Sequence, residues 1–74
     1  MSNESKVISL VSEVLDVEKK VISINTTIDD IDVWDSMMTV NIMTVVCDEF
    51  GLTPSFEDFE QFTSVKTIIE FIEK

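Results

Sequence analysis

Ser36 is the residue of this chain best placed for covalent chemistry. It follows Asp35 and opens the run Ser36-Met37-Met38-Thr39-Val40. Both side chains of the Asp35-Ser36 pair can accept hydrogen bonds from the free backbone N–H groups of a first helical turn, so the pair predicts a helix start. A hydroxyl at that place is also an exposed nucleophilic oxygen beside the positive end of a helix dipole, suited to carry a phosphate ester. On its own, Asp-Ser before a helix is a commonplace cap. What tilts the reading is the absence of other chemistry.

The chain has no histidine, so neither Ser36 nor Cys47 has its usual base, and no G-x-S-x-G elbow surrounds the serine. The common zinc sets are excluded with it. Gly51 is the only glycine, which excludes glycine-rich phosphate loops. Asp29, Asp30, Asp32 and Asp35 cluster, and an EF-hand loop could be imagined to begin at Asp30. It would put Trp34 where an oxygen ligand is needed, Asp35 where glycine belongs and Asn41 in place of the bidentate glutamate. The cluster therefore reads as a solvated acidic surface and no metal is expected. Cys47, the single cysteine, excludes an internal disulfide and reads as a packing residue or a semi-exposed thiol.

Five basic residues against fifteen acidic ones give a net charge of −10 over 74 residues. Nucleic-acid binding needs the opposite sign, and anionic membranes would repel the chain. Basic protein surfaces are the expected partners. Charged or polar residues interrupt every apolar run before membrane-spanning length. Met1 to Ser5 lacks the basic and apolar regions of a signal peptide, which makes the cytoplasm the expected compartment. The length predicts a single domain over 1–74.

The elements that must position Ser36 follow from periodicity. Val7, Leu10, Val11 and Val14 recur at helical spacing and predict a helix from Glu4 to about Leu15, whose start Ser2 or Asn3 can cap. From Asp16 to Asp35 the period is lost. Val21-Ile22-Ser23-Ile24 has strand composition but no partner strand, so a long ordered loop pinned by aliphatic residues is expected, with Asn25-Thr26-Thr27 capping a short turn of helix near Ile28 to Ile31. The central helix runs from Ser36 to Phe50, ended by Gly51. Its core stripe is Thr39, Ile42, Met43, Val46 and Phe50, and truncating Phe50 to alanine should cost ~3–5 kcal/mol. Ser55-Phe56-Glu57-Asp58 resembles a capping box and opens a short helix through about Gln61, with Phe56, Phe59 and Phe62 spaced to reach inward. Thr63-Ser64 caps a last helix whose stripe is Val65, Ile68, Ile69 and Ile72. The fold class is all-α: a small four-helix bundle with three longer helices, one short third helix and a long first loop.

The run Asp35-Ser36-Met37-Met38-Thr39-Val40 followed by Ile42 resembles the attachment motif of acyl carrier proteins. Asp48-Glu49-Phe50-Gly51, Pro54 and Thr63-Ser64-Val65 through Ile72 fit the downstream pattern of the same family. The resemblance extends over essentially the whole chain. It implies that a phosphopantetheinyl transferase joins 4′-phosphopantetheine from coenzyme A to Ser36, and that the arm's thiol holds an acyl or aminoacyl group as a thioester. It also implies a non-catalytic, monomeric carrier. Asp35 would cap the central helix and help present the serine. Met37, Met38, Val40, Asn41 and Thr44 would form the docking face for a loading ligase and a downstream acyltransferase or synthase, through basic or apolar surfaces. Met37 replaces the family's usual leucine, Trp34 stands where a small residue is common, and no acidic residue lies between Asp35 and Asp48. Fatty-acid carriers often bear several there. The departure points to a specialised carrier, with D-alanyl and other aminoacyl carriers as an alternative. The rival from another class is a small acidic adaptor with no prosthetic group, binding a partner through its methionine-rich helix.

Overall fold

The computed structural model describes residues 3–73, and Ser2, one of the two residues able to cap the first helix, lies outside them. Three α-helices form: α1 over Asn3–Leu15, α2 over Ser36–Phe50 and α3 over Val65–Ile72. A 3-10 helix over Phe56–Thr63 takes the place of the short third helix, and a single 3-10 turn, Lys19–Val21, interrupts the first loop. The fold is the expected small all-α bundle. No β-strand occurs among the described residues.

Each helix ends for a visible reason. Beyond α1, Asp16 adopts φ 58 and the N–H of Val17 donates to the carbonyl of Ser12 at 3.0 Å. Beyond α2, Gly51 adopts φ 69 and Leu52 N–H donates to the carbonyl of Cys47 at 2.7 Å. Both are Schellman closures, in which a left-handed residue lets the chain satisfy its last carbonyls. Ser55 caps the 3-10 helix through Glu57 N–H, and Ser64 caps α3 through Thr67 N–H.

The core lies where one stripe from each helix converges. Val7, Val11 and Leu15 of α1 meet Ile42, Met43, Val46 and Cys47 of α2 and Val65, Ile68 and Ile69 of α3. Phe62 is fully buried among them and sets its ring edge-on to Phe71, with centroids 5.1 Å apart. Cys47 is fully buried as well, which decides its reading as a packing residue. Two aromatic expectations are corrected. Phe50 is only half-buried, at the rim, where the Lys6 ammonium lies 5.3 Å above its ring and pairs with Glu49 at 3.0 Å. Phe56 points outward, with 89% of its surface exposed: a regular 3-10 helix would stack residues 56, 59 and 62 on one face, but the backbone kinks at Phe62 (φ −100, ψ 17), and only Phe62 enters the core.

The long loop is ordered by its own polar groups. Thr26 Oγ1 accepts from Ser23 N–H at 2.8 Å, and Asp30 Oδ2 accepts from Thr27 N–H at 2.9 Å. The turn of helix expected near Ile28 is a plain turn over residues 28–30, with Asp29 N–H donating to Thr27 Oγ1 and Asp30 N–H to the Thr27 carbonyl. Its far end is tied to the start of α3. Ile28 N–H donates to Thr63 C=O at 2.8 Å and Val65 N–H to Thr26 C=O at 3.0 Å, an isolated antiparallel bridge between Thr27 and Ser64. The pairing partner that the loop lacked nearby is supplied from nearly forty residues away.

Candidate functional site

The start of α2 separates the two roles that Asp35 and Ser36 could share. Asp35 is the N-cap, with extended backbone, and its Oδ1 accepts from Met38 N–H at 2.9 Å. Ser36 is the first helical residue, exposed, and its hydroxyl takes part in no side-chain hydrogen bond among the described residues. The cap is made by the aspartate alone. This leaves the serine oxygen available at the positive end of a fifteen-residue helix.

Trp34 fixes this helix start from beneath. It is buried, and its indole N–H donates to Thr39 Oγ1 at 3.0 Å. The Thr39 hydroxyl in turn donates to the Asp35 carbonyl at 2.9 Å. Thr39 is fully buried, so the relay runs through a dry region where an unpaired group would be costly. The tryptophan, a departure in the sequence pattern, thus locks the residue that precedes Ser36. Its role was not readable from sequence because its partner lies one turn into the next helix.

Along α2 the candidate docking residues divide. Met37 is 72% exposed, and Val40, Asn41 and Thr44 are exposed beside it at helical spacing. Met38 differs: its side chain packs against the core and is half-buried, with Asn41 Nδ2 donating to its sulfur at 3.9 Å. Met37 is therefore the outward methionine. No acidic residue interrupts this face between Asp35 and Asp48. A shallow apolar groove of about 220 Å³ runs beside it, lined by Val40, Met43, Thr44, Pro54, Ser55 and Phe56.

The remaining reactive groups are accounted for. Burial first, and the Asp58 carboxylate second, push the Cys47 thiol above its ordinary pKa, so at neutral pH it is a protonated packing group. No set of three His, Cys, Asp or Glu residues able to hold a metal lies among the described residues. Of the clustered aspartates, Asp30 and Asp35 are engaged as caps of backbone N–H groups. No helix among the described residues is long and apolar enough to cross a membrane.

The small all-α bundle thus holds an exposed serine hydroxyl, capped over by Asp35, at the head of its second α-helix. The family model for the phosphopantetheine attachment site matches residues 5–72, and the chain belongs to that family. Its cofactor is covalently attached 4′-phosphopantetheine, and the carrier domains of this family are modified by phosphopantetheinyl transferases and work with synthase enzymes. No curated protein matches the chain.

Proposed function

We propose that Ser36 carries the 4′-phosphopantetheine arm and that this chain, a single non-catalytic domain over 1–74, serves one specialised biosynthetic pathway in the cytoplasm as a carrier of acyl or aminoacyl thioesters. The observation that supports the site is the free hydroxyl of Ser36, exposed where Asp35 has taken over the capping. A phosphate ester there faces the free N–H groups of the first turn, so the helix start suits the charge it would receive.

Loading begins at this oxygen. Ser36 Oγ bonds to the phosphorus of coenzyme A that bears the pantetheine, the pyrophosphate P–O bond breaks, and adenosine 3′,5′-bisphosphate leaves. The hydroxyl proton passes to a base of the transferase, since no histidine of this chain could take it. The bound arm supplies the thiol chemistry. What the protein contributes is position: Asp35 and the Trp34–Thr39 relay hold the helix start, and the bundle beneath it keeps the serine at the surface.

The docking face bears on the choice of loading enzyme. Enzymes that handle fatty-acyl carriers read acidic residues along this helix with basic patches, and α2 offers Met37, Val40, Asn41 and Thr44 instead. This favours a specialised carrier served by a dedicated loading ligase with an apolar docking surface, the D-alanyl and other aminoacyl carriers being one such group. Incubation with coenzyme A and a broad-specificity phosphopantetheinyl transferase tests the site. The intact mass should rise by one arm, and Ser36→Ala should abolish the gain. Wild-type protein left unmodified by several transferases would favour the adaptor reading.

A further inference from the structure

Phe56 is the least expected side chain on the surface. A single exposed apolar residue needs no explanation, because folded proteins show many. Phe56 is not single. Its ring borders the groove whose other wall includes Val40 and Thr44, and Val40 lies one turn beyond Ser36, about 6 Å along the helix axis. Met37 stands between them on the same helix, also exposed. Together they form an apolar patch immediately beside the reactive hydroxyl.

The charge around the patch is one-sided. No lysine or arginine occurs between Lys20 and Lys66, and nine of the fifteen acidic residues fall in that interval. Glu57 and Asp58 directly follow Phe56, while Asp32 and Asp35 precede Ser36. An exposed aromatic anchor within an acidic rim is the form that interface hot spots take when the partner is basic. A second copy of this chain would bring the same negative rim and a net charge of −10, and is disfavoured.

One partner must be cationic at this place on chemical grounds. The enzyme that modifies Ser36 binds coenzyme A, whose phosphates demand lysine or arginine, and it must bring them to the Ser36 oxygen. We infer that Phe56 is the anchor by which the phosphopantetheinyl transferase holds this carrier: the ring enters an apolar socket of the enzyme, and basic side chains around that socket meet the carboxylates of Glu57, Asp58 and Asp35. This rests on the carrier reading of Ser36. It places recognition across the groove, on the 3-10 helix, and makes Phe56 a specificity-determining residue that touches no reacting atom.

The test is the rate of modification by a broad-specificity phosphopantetheinyl transferase, measured against carrier concentration at saturating coenzyme A. Phe56→Ala should raise the KM for the carrier at least tenfold and leave kcat within about twofold, with Phe56→Leu between. Val21→Ala, which alters an exposed apolar residue outside the groove, should match wild type. Circular dichroism and melting of Phe56→Ala should equal wild type, since the ring packs on little. Added salt should lower kcat/KM for wild type. An unchanged kcat/KM for Phe56→Ala on a wild-type protein that is modified overturns the anchor while the carrier reading stands. Wild-type protein that is never modified removes both. A dimer in sedimentation that Phe56→Ala dissociates, or Phe56-dependent binding to phosphatidylcholine vesicles, would assign the patch to another occupant and overturn the inference.

Discussion

Ser36 is available because two neighbours have taken the work a helix-start serine often does. Asp35 accepts the first-turn N–H, and the Asp35 carbonyl is bonded from inside by Thr39, which is itself bonded by the Trp34 indole. Thr39→Val keeps the shape but removes the acceptor for a buried N–H. The fold should lose ~1–3 kcal/mol, the cost of one unsatisfied buried donor. Urea denaturation followed through Trp34, the only tryptophan, measures it directly. Cys47 gives a second residue-scale expectation. Its folded pKa lies above the ordinary thiol value, chiefly through burial. Above that ordinary value the unfolded chain releases the proton while the folded chain still holds it, so stability falls as pH rises. Urea midpoints taken from neutral to alkaline pH should decline, and the decline should be smaller in Cys47→Ala.

At the scale of the elements, the helices were legible and the direction of individual aromatic rings was not. Ser36 to Phe50 could be bounded from Asp35 and Gly51 because capping chemistry is local, and the buried stripe of Thr39, Ile42, Met43 and Val46 follows from helical period alone. Phe50 and Phe56 escaped that logic. Phe50 sits where α2 reaches the rim and shares its face with Lys6, a contact from another helix. Phe56 opens a 3-10 helix whose three-residue repeat would set it on the same side as Phe62, but the backbone kinks at Phe62 (φ −100, ψ 17) and breaks that register. The energetic expectation moves accordingly. Phe62→Ala should cost ~3–5 kcal/mol, because a fully buried ring leaves a cavity. Phe50→Ala should cost clearly less, and equal midpoints for the two variants in urea would refute the assignment. The long loop was legible only as ordered. Its anchor, Ser64, lies too far along the chain for any local pattern to announce it.

The whole molecule carries a charge imbalance that it does not neutralise internally. The ion pairs Lys6–Glu49 and Lys20–Glu18 are largely exposed and contribute little. With a net charge of −10, folding concentrates like charge, and screening it should favour the compact state. The melting temperature should rise between low salt and about 0.15 M salt, where the Debye length is about 8 Å. A melting temperature indifferent to salt would mean that the repulsion is as strong in the unfolded chain. The same charge governs encounters: basic partners should associate faster at low salt, whatever their cargo.

The bridge between Thr27 and Ser64 has a consequence for the order of assembly. The helices depend on contacts close in sequence and can form early, whereas the bridge closes a loop of nearly forty residues and must wait for α3. Until it closes, the loop leading into Trp34 and Asp35 is held by its own side-chain bonds and packing but lacks its backbone tie to α3. A chain cut before Val65 would lack both the partner of Thr27 and the core residues Val65, Ile68 and Ile69 that pack with α2. The approach to α2 is thereby completed late in folding, by the far end of the chain.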